Sequence, residues 1–503
     1  MIEFEKIPFE ETRSFSKNFI KYVNSKKINL KNIYLKTNEI SFDDKKRKLL
    51  QNSLIKQYEK IDCSNEVIAN INQLTNENTF TVTTGHQLNI FTGPLYVIYK
   101  IISTINLASK LKKKYPNKNF VPIYWMASED HDYDEIKSFY LYGKHYIWDN
   151  KTSGAVGDID PKRIKSLLKK IPEKIPLFEK AYLKNSKLSN SVLYYMNELF
   201  GKYGLIVLEP NKKSYKNLFL KIIQDDIVNN SIKNLKSKTS NKKGVHIRNI
   251  NFFYLKKNLR ERIIKEKNKY KINNTPISFS EKEIIKEINS NSEFFSPNVI
   301  MRCLYQQTII PNIAYIGGPS ELEYWLEFEE FFKFYKVPFP IILPRNFVTI
   351  VNNKIKSKLN KLNIKLSDIF KNKNELEKII LENQSKNKFN LIDEKLNVEK
   401  EIKKIIDKSE IIDKSLNSKI LALKKKTIKE IDALEKRLIR EEKKKHQKSF
   451  DELDKILSKV FPDNILQERK ENFLNYYLSD KNFIETLIKT LDPLKFYFNI
   501  ISK

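Results

Sequence analysis

The stretch TFTVTTGHQLNIFTGP at residues 79–94 decides the fold of this protein. Residues 79–84 form a short stretch rich in β-branched side chains, which predicts a buried strand. Gly85 ends this strand, and Pro94 precedes an apolar-periodic run that predicts a helix, because proline is favoured at the start of a helix. A strand, a glycine turn and a helix in this order are typical of a parallel βαβ unit.

The same unit recurs along the chain. Further strands are predicted at 120–126, 204–208, 309–316 and 339–343, and helices at 192–203 and 321–335. Strands that alternate with helices predict right-handed crossovers and a parallel sheet. The stretches 142–200 and 225–300 are interpreted as insertions, and the second contains the strand-like NFFYL at 251–255. The sequence therefore predicts an α/β core with inserted connecting segments over residues 1–370.

The composition changes near residue 370, where long runs of Lys, Glu, Leu and Ile begin and Gly and Pro become rare. Apolar residues recur between Ile402 and Leu438 with a mean spacing near the roughly 3.6 residues of a helical turn, which predicts a nearly straight helix that packs on a partner. A helical hairpin that packs only on itself is the alternative. We predict a long helical arm at 371–460 that forms a homodimer, and a segment at 461–503 that docks back on the core.

The chain has 503 residues and a net charge of +32, from 93 basic and 61 acidic residues. A basic charge of this size can indicate nucleic-acid binding. Only 11 of the basic residues are arginine, however, and lysine is spread over the whole chain together with Asn and Ile. A nucleic-acid footprint should cluster and favour arginine forks, so we interpret the charge as codon bias and expect no nucleic-acid partner. A real polyanion partner stays the alternative.

Three features of the sequence favour a cytoplasmic protein without a membrane span. The two cysteines, Cys63 and Cys303, are too few for a disulfide framework and fit a reducing compartment. The first residues, MIEFEKIPFEETRSF, place acidic residues in every short apolar stretch, so we expect no signal peptide. No run of about 18 apolar residues occurs, so no helix is expected to cross a membrane.

The polar clusters of the chain follow predicted strands, and ligands of open parallel sheets bind outside the carboxyl ends of the strands. The first cluster comprises Gly85, His86, Gln87, Thr92 and Gly93. A glycine turn lets a ligand approach the backbone, and the free N–H groups of the next helix can hold a phosphate or a carboxylate. The cluster matches neither a Walker P-loop nor a GxGxxG fingerprint, and a tight loop needed only for packing is the alternative.

The second cluster follows the next predicted strand and comprises Ser128, Glu129, Asp130, His131 and Asp132. Charged groups beside an apolar strand are costly unless they are solvated, paired or used. Clustered carboxylates push pKa values apart and can supply a base, hold Mg²⁺ or bind an amine. A capping and salt-bridge cluster at a helix start is the alternative. A bound transition metal is not expected, because only five histidines exist and the others are dispersed.

The third cluster comprises Gly317, Gly318 and Glu321, with Trp325 one turn later. Pro319 opens a helix after the two glycines and so repeats the design of the first cluster. This arrangement favours a second anion-binding helix start, and a helix cap without a ligand is the alternative.

Three of the scarce arginines are candidate clamps for carboxylates or phosphates, because a guanidinium can bind both oxygens of such a group at once. Arg302 and Arg345 lie beside predicted strand or helix ends, and Asn346 follows Arg345. Arg248 lies in the second insertion. A structural role is the alternative for each of them.

Six strings of the chain together resemble one protein family. They are TGHQLNIFTGPLYVIYK, VPIYWMASEDHD, VHIRNINFFYL, FSPNVIMRCLYQ, AYIGGPSELEYW and PFPIILPRN, between residues 83 and 346. In these strings the chain is similar to the bacillithiol biosynthesis cysteine-adding enzymes, the BshC family of cysteine ligases. A helical region follows, as in that family, so the resemblance covers nearly the whole chain.

The resemblance implies a Rossmann-like core with insertions, similar to that of class I aminoacyl-tRNA synthetases, and a helical coiled-coil domain used in homodimers. It implies a ligase that joins L-cysteine to glucosamine malate in the last step of bacillithiol biosynthesis. One departure concerns Ile247-Arg248-Asn249, where the family pattern is Pro-Arg-Glu. Arg248 carries over from the family, and the neighbouring carboxylate does not.

An amide forms usefully from a carboxylate only after activation, so ATP and Mg²⁺ are expected from chemistry and analogy. The two glycine–proline helix starts would hold anionic groups, and Arg302 or Arg345 would pair with malate carboxylates. The cluster at 129–132 would bind the reacting amines, with His131 as the first choice of base. Two alternatives stay open: a synthetase-like nucleotidyl-transferring enzyme that acts on another small acid, and a non-catalytic RNA-binding or scaffold protein that uses the basic arm.

Overall fold

The computed structural model describes residues 3–150, 152–239, 247–385 and 390–502. The chain divides into two compact units. The first comprises Met1–Ile7, Thr349–Leu466 and Ile500–Lys503, and the second comprises Pro8–Val348 and Gln467–Asn499. The composition change near residue 370 therefore lies inside the first unit, after the division at Thr349.

The strands of the described residues form four sheets. In chain order these strands are β1 (Glu3–Ile7), β2 (Thr79–His86), β3 (Asn119–Met126), β4 (Ser138–Leu141), β5 (Lys144–Ile147), β6 (Ile206–Leu208), β7 (Phe252–Lys256), β8 (Leu259–Glu266), β9 (Lys269–Ile272), β10 (Ser278–Phe279), β11 (Phe295–Pro297), β12 (Asn312–Gly317), β13 (Ile341–Pro344), β14 (Phe347–Val351) and β15 (Phe498–Ser502). The longer α-helices of the described residues are Asp44–Tyr58, Asn65–Gln73, Tyr96–Lys114, Pro176–Lys184, Leu188–Phe200, Ser231–Thr239, Glu281–Ser290, Val299–Ile309, Pro319–Glu327, Asn353–Lys361, Lys373–Gln384, Ile392–Ile412, Asn417–Lys445, Gln447–Val460 and Phe483–Thr490.

A five-stranded parallel sheet with the order β13-β12-β2-β3-β6 lies at the centre of the second unit. The middle strand, β2, pairs with β3 on one side, where Thr83 lies opposite Ile123, and with β12 on the other, where Thr83 lies opposite Tyr315. After β2 the chain adds β3 and β6 on one side of this strand, and it later adds β12 and β13 on the other side. Ligands of such sheets bind where the strand order reverses, outside the carboxyl ends of the strands. The predicted parallel α/β core is confirmed.

The burial of β2 explains why residues 79–84 contain no charged side chains alternating with apolar ones. All six side chains are buried, because the sheet is covered on both faces. The helix Tyr96–Lys114 packs on β2 and β3. Val82, Leu107 and Ile313 are fully buried, and each such side chain stabilises the fold by about 1.5–3 kcal/mol relative to its exposed state.

The strand predicted at 309–316 begins only at Asn312. Ile309 is instead the last residue of the helix Val299–Ile309, and Ile310 and Pro311 connect the two elements. Pro311 cannot donate the N–H that a continued helix would need, and its carbonyl accepts a hydrogen bond from the Thr81 N–H at 2.9 Å. The proline therefore starts the pairing of the new strand with β2.

The helix predicted at 321–335 is two shorter helices, Pro319–Glu327 and Glu329–Phe334. The N–H of Phe328 donates to the Trp325 carbonyl at 3.0 Å, and this tight turn ends the first helix. The turn directs the Phe328 side chain into the core, where it is almost completely buried.

The two stretches interpreted as insertions have different architectures. The stretch 142–200 is mainly helical, with Pro176–Lys184 packed on Leu188–Phe200. The stretch 225–300 contains an antiparallel sheet with the order β10-β9-β8-β7-β11, in which β7 corresponds to the predicted strand NFFYL. Residues 240–246 lie outside the described residues, and with them the first two residues of the string VHIRNINFFYL.

Residues 467–499 are part of the second unit. Asn106 Nδ2, on the helix behind the sheet, donates to the carbonyl of Leu491 at 2.7 Å. Lys110 of the same helix forms a 3.0 Å ion pair with Asp492. The late part of the chain therefore packs against the central helix of the α/β core.

The first unit is mainly helical, with a three-stranded sheet of order β1-β15-β14. The prediction of one helix across the apolar stripe from Ile402 to Leu438 is wrong. The helices Ile392–Ile412 and Asn417–Lys445 are separate, because Asp413 has an extended backbone and its carboxylate accepts a hydrogen bond from the Ser415 N–H. The break at this aspartate turns the chain back on itself.

These two helices form an antiparallel hairpin. Lys395 pairs with Glu435 at 2.6 Å, and Lys424 pairs with Glu399 at 3.0 Å, across the two helices. Many of the apolar side chains nevertheless stay exposed, namely those of Leu396, Ile405, Ile411, Ile412, Leu421, Leu423, Leu434 and Leu438. The hairpin therefore leaves an apolar surface uncovered within this chain. None of the helices in the described ranges combines the length and the hydropathy needed to cross a bilayer.

Candidate active site

Three loops that are distant in sequence meet outside the carboxyl ends of the parallel strands. Gln87, after β2, donates to Asp130, after β3, at 2.7 Å. Lys100 forms a buried ion pair with Glu321, after β12, at 2.8 Å, and also donates to the Gly85 carbonyl. The three predicted clusters thus contribute to one site at the point where the strand order reverses.

Asp130 is the centre of this site. Its carboxylate accepts hydrogen bonds from Arg302 at 3.0 Å and from Gln87 at 2.7 Å, and it pairs with Arg260 at 3.2 Å. Burial by itself would raise the pKa of Asp130, but Arg302, its hydrogen bonds and Arg260 hold the pKa well below its usual range. Asp130 is therefore a permanent carboxylate that can anchor cations, and it cannot accept a proton near neutral pH.

Arg260 is a site residue that the sequence did not reveal. It lies on β8 of the antiparallel insertion and is buried, and burial lowers its pKa to about 10. Its guanidinium contacts Asp130, donates to His131 Nδ1 at 2.5 Å and lies 4.0 Å from the ring centre of Phe253. The only signal in the sequence was that arginine is scarce in this chain, because no local pattern connects β8 to the loop after β3.

His131 is half exposed at the edge of the site, with 50% of its side-chain surface accessible. Arginine can only donate hydrogen bonds, so His131 Nδ1 accepts from Arg260 and the ring proton lies on Nε2. His131 can then donate a hydrogen bond to a ligand from Nε2. Its predicted role as a base stays a prediction.

Glu135 is a second site residue that the sequence analysis missed. It lies three residues after Asp132, which caps this short helix by accepting a hydrogen bond from the Glu135 N–H at 3.3 Å. Burial, followed by the charges of Asp132 and Asp130, raises the pKa of Glu135. A carboxylate with a raised pKa is suited to proton transfer. The capping pattern of an aspartate followed three residues later by a glutamate was the available signal.

Glu129 and Ser128 point into the protein rather than toward the site. Glu129 forms a 2.6 Å ion pair with Lys216, and both side chains are buried. Ser128 donates a hydrogen bond to Glu209, and burial raises the pKa of Glu209 to about 7. These contacts hold the backbone of the loop after β3 in place and match the structural alternative.

The helix starts that were predicted to bind anions are already capped by the protein. The Gly318 N–H donates to the Glu321 carboxylate at 2.7 Å. The Leu95 N–H, at the start of the helix after β2, donates to the Glu471 carbonyl at 2.7 Å. Gly317 ends β12, and Trp325 stacks on Tyr315 in the core. The side chains around Asp130 are therefore better placed than these helix starts to contact a ligand.

The loop after β2 has an unusual backbone. Phe91, Thr92 and Gly93 have φ angles of +51°, +69° and +67°, a region that side-chain-bearing residues rarely adopt. Asn472 Nδ2 holds this loop by donating to the Phe91 carbonyl at 2.7 Å and the Gly93 carbonyl at 2.6 Å. A Cβ atom at position 93 would lie 2.5 Å from Asn89 Cβ, so only glycine fits there. The loop is thus built for a fixed shape.

His86 and Arg345 both contact the ring of Tyr96, on the helix that follows this loop. Burial, followed by the charges of Lys100 and Arg345, lowers the pKa of His86 well below its usual value, so the ring is neutral. Arg345 is bound by both oxygens of Glu468, at 2.6 and 2.9 Å. The Asn346 N–H donates to Ser103 Oγ at 2.9 Å. Arg345 and Asn346 therefore hold the fold together, in contrast to the expected role as a ligand clamp.

Of the other predicted clamps, Arg302 is in the site and Arg248 is beside it. Arg302 uses one nitrogen to bind Asp130 and keeps about a quarter of its side chain accessible. Arg248 lines a separate cavity of about 210 Å³ between β7 and β8. Within the described part of the chain, no three His, Cys, Asp or Glu side chains are arranged to hold a metal ion.

Comparison with known proteins identifies the family. The family model described as "Bacillithiol biosynthesis BshC, N-terminal Rossmann-like domain" matches residues 2–346, and "Bacillithiol biosynthesis BshC, C-terminal coiled-coil domain" matches residues 348–503. A relative from Flavobacterium psychrophilum is 40% identical, covering 98% of both chains. Relatives from Flavobacterium johnsoniae (39%, covering 92% of this chain and 90% of that one) and Christiangramia forsetii (37%, 99% and 98%) are similar. All three bear the name "Putative cysteine ligase BshC".

Both family models match, and together they cover almost the entire length. The Rossmann-like region contains the parallel sheet and the Asp130 site, and the coiled-coil region contains the helical hairpin. The chain therefore belongs to the BshC family of bacillithiol biosynthesis proteins.

Proposed function

We propose that this protein is an amide-forming ligase that joins the carboxyl group of L-cysteine to the amino group of glucosamine malate and consumes ATP. The name that its relatives bear supports the ligase reaction and cysteine as a substrate. The observation that carries the proposal is the carboxylate of Asp130, held between Arg260 and Arg302 where the strand order reverses.

The chemistry requires two steps. A cysteine carboxylate oxygen first attacks a phosphorus atom of ATP, and either pyrophosphate or ADP leaves. The sugar amine then attacks the activated carbonyl carbon, AMP or phosphate leaves, and the nitrogen loses one proton. The protein must therefore bind an ammonium group, stabilise negative oxygen atoms and accept a proton.

The side chains around Asp130 match these three tasks. Asp130 stays ionised and anchors the α-ammonium group of cysteine. Arg302 and the Nε2–H of His131 donate to the oxygen atoms that gain charge during activation and attack. Glu135, whose pKa is raised, takes the proton from the attacking amine. This assignment replaces His131 with Glu135 as the base.

Mg²⁺ enters this scheme with the nucleotide. The described residues provide no three-membered cluster of metal-binding side chains. Magnesium typically binds through substrate phosphates with one or two carboxylates, so we assign the phosphate oxygens of ATP as its main ligands. Glu321, which pairs with Lys100, is the nearby carboxylate that would complete the shell.

The direct test is incubation of the pure full-length protein with cysteine, glucosamine malate and ATP-Mg²⁺. Formation of the cysteinyl amide, detected by mass and absent when any one component is omitted, is the expected result. Phosphorus-31 spectra of the same mixture distinguish AMP from ADP as the product. Turnover of ATP with another small acid but not with cysteine would instead support a synthetase-like enzyme with a different substrate.

We also propose that the protein acts in the cytoplasm as a homodimer formed through the helical hairpin. The exposed apolar side chains of the hairpin support an interface there, because soluble proteins rarely leave a continuous apolar surface uncovered. The small metabolites and the ATP that the reaction uses support the compartment.

A further inference from the structure

A small cavity beside the Asp130 site has the properties of an anion-binding pocket. Its volume is about 210 Å³. It lies between β7 and β8, next to the start of the helix Val299–Ile309. Its lining combines two guanidinium groups, side-chain amides and the ring of Phe253, and the residues used below are Arg248, Arg262, Asn249, Asn298 and Phe253.

Both arginines line this cavity, Arg262 being exposed, and neither has an acidic partner among the described residues. Arg248 is half-buried, and burial together with the charge of Arg262 lowers its pKa. Like charges at close range repel, and a partly buried guanidinium that lacks a partner is costly. An anion between the two groups would remove both costs.

The scarcity of arginine in this chain supports a specific role for the two arginines of the cavity. Only 11 of the 93 basic residues in the chain are arginine, and Arg248 and Arg262 contribute two of them to one cavity. A guanidinium differs from an ammonium in that it binds a carboxylate through two parallel hydrogen bonds. Lysine, the common cation of this chain, would supply charge without that geometry.

The cavity and the Asp130 site are neighbours across one aromatic ring. Arg260 and Arg262 are two residues apart on β8 and so lie on the same face of the strand. Arg260 stacks on Phe253 at 4.0 Å and reaches His131, whose ring centre lies 5.8 Å from that of Phe253. A single small molecule can therefore place one end in the cavity and the other beside His131.

The size of the cavity limits the anion. Pockets that enclose a drug-sized ligand measure about 300–1,000 Å³, so about 210 Å³ accommodates a short dicarboxylate and not a whole nucleotide. We propose that this cavity binds the carboxylates of the malate moiety of the acceptor substrate through Arg248 and Arg262. This inference rests on the proposed ligase function, and it assigns the malate end to residues other than Arg302 and Arg345.

Direct binding tests the assignment without turnover. Full-length protein is titrated calorimetrically with glucosamine malate and, separately, with its dimethyl ester. Arg248→Gln and Arg262→Gln should each weaken binding of the free acid about tenfold or more, since each removes one partner of a close charge pair. Binding of the ester should be weak in all proteins. Arg248→Lys should lie between wild type and Arg248→Gln.

A control variant and ATP as a second ligand test whether any loss of binding is specific to the cavity. Arg163→Gln removes the same charge from an exposed site where Arg163 contacts Asn150, and it should bind like wild type. Wild-type affinity for the acid in both Arg248→Gln and Arg262→Gln, with unchanged circular dichroism, would overturn the proposal. Weaker binding of ATP with unchanged binding of the acid would also overturn it and would assign the cavity to nucleotide phosphate.

The outcomes separate this inference from the proposed function. An active wild-type ligase whose two variants keep their affinity for the acid removes the cavity assignment and leaves the ligase function. An inactive wild type whose affinity for the acid depends on Arg248 and Arg262 removes the ligase function and leaves the binding site.

Discussion

The Nδ1 atom of His131 accepts a hydrogen bond from the guanidinium of Arg260 at 2.5 Å, and the same guanidinium pairs with Asp130 at 3.2 Å. One buried arginine from the antiparallel insertion thus sets both the charge and the orientation of the loop after β3. The electrostatics of the candidate site therefore depend on a residue outside the parallel sheet.

Replacement of Arg260 by lysine should reduce kcat/KM about 100-fold while the protein stays folded. Lysine retains the charge near Asp130, but it cannot bond to Asp130, His131 and Ser296 from one rigid fork. Steady-state kinetics with cysteine, glucosamine malate and ATP provide the measurement. Arg163→Lys, at the protein surface, serves as the matched control. Undiminished activity of Arg260→Lys would contradict the positioning role.

In the Glu135→Gln variant kcat should fall about 10²–10⁴-fold, which is the usual contribution of a general base. The base acts in its deprotonated form, so the wild-type rate should fall as the pH decreases through the raised pKa of Glu135. The variant should lack this acidic limb of the pH profile. Glu129→Gln is the control, because the Glu129 carboxylate pairs with Lys216 away from the site. This variant should lower the stability of the protein and leave the shape of the pH–rate profile unchanged.

Asp130→Asn should destabilise the protein at pH 7 by about 3–5 kcal/mol, because it leaves two guanidinium groups without their carboxylate. The pKa of Asp130 is lower in the folded state than in the unfolded chain. Its stabilising effect is therefore complete above the unfolded pKa of about 3.9 and is lost as the pH falls below that value. Urea unfolding at pH 7 and at pH 3 measures the difference.

The corresponding control is Asp134→Asn, since this residue is exposed and its ion pair within the described ranges is with Lys137. Its unfolding free energy should change by less than about 1 kcal/mol at either pH. Equal losses in Asp130→Asn and Asp134→Asn would argue against a special role for the Asp130 carboxylate.

Glu209→Gln should make stability less dependent on pH between about 4 and 7. Burial raises the pKa of Glu209 to about 7, so the wild type loses stability as the pH rises from the unfolded pKa of about 4.3 to about 7, where the unfolded chain is ionised and the folded carboxyl group is still protonated. The neutral amide keeps an acceptor for the Ser128 hydroxyl and avoids this loss. Relative to wild type, the variant should gain about 3 kcal/mol or less above pH 7 and nothing at pH 4. Thermal melts across this range test the sign.

The double variant Ile411→Glu/Ile412→Glu should convert the proposed homodimer to monomers. These isoleucines are more than four-fifths exposed near the tip of the helical hairpin, so the change should not disturb the fold of one chain. Sedimentation velocity at several protein concentrations gives the oligomeric state. Substitution of two exposed lysines on the same helix by glutamine, Lys403→Gln/Lys404→Gln, controls for the change of two charge units. A wild type that is monomeric at all concentrations would contradict the proposal.

The sequence predicted the central sheet well because its signals are local. Residues 79–94 contain the strand, the turn and the helix start in one run, and a parallel sheet follows from the repetition of such units. Asp413 shows where this reasoning stopped. The apolar spacing continues across it, and only a side-chain bond to Ser415 reveals that the helix ends there.

The sequence predicted that the three loops meet, but it did not predict the ion pairs of the candidate site, because these connect distant residues. Arg260 contacts His131 across 129 positions, and Arg345 contacts Glu468 across 123. No local pattern distinguishes an arginine that is free to bind a ligand from one whose partner lies in another element. The loops could therefore be placed together from the order of the strands, whereas the roles of Arg345, Glu129 and Glu135 required the three-dimensional contacts.

The bonds from Asn472 to the carbonyls of Phe91 and Gly93 have a consequence for biosynthesis. The ribosome delivers Asn472 about 380 residues after the loop that it holds. The nascent chain can form the strands before residue 345 first, but the left-handed backbone at 91–93 gains its clamp only after Asn472 has been synthesised. A product that stops before Asn472 would therefore carry the strands of the parallel sheet and an unsecured loop beside them.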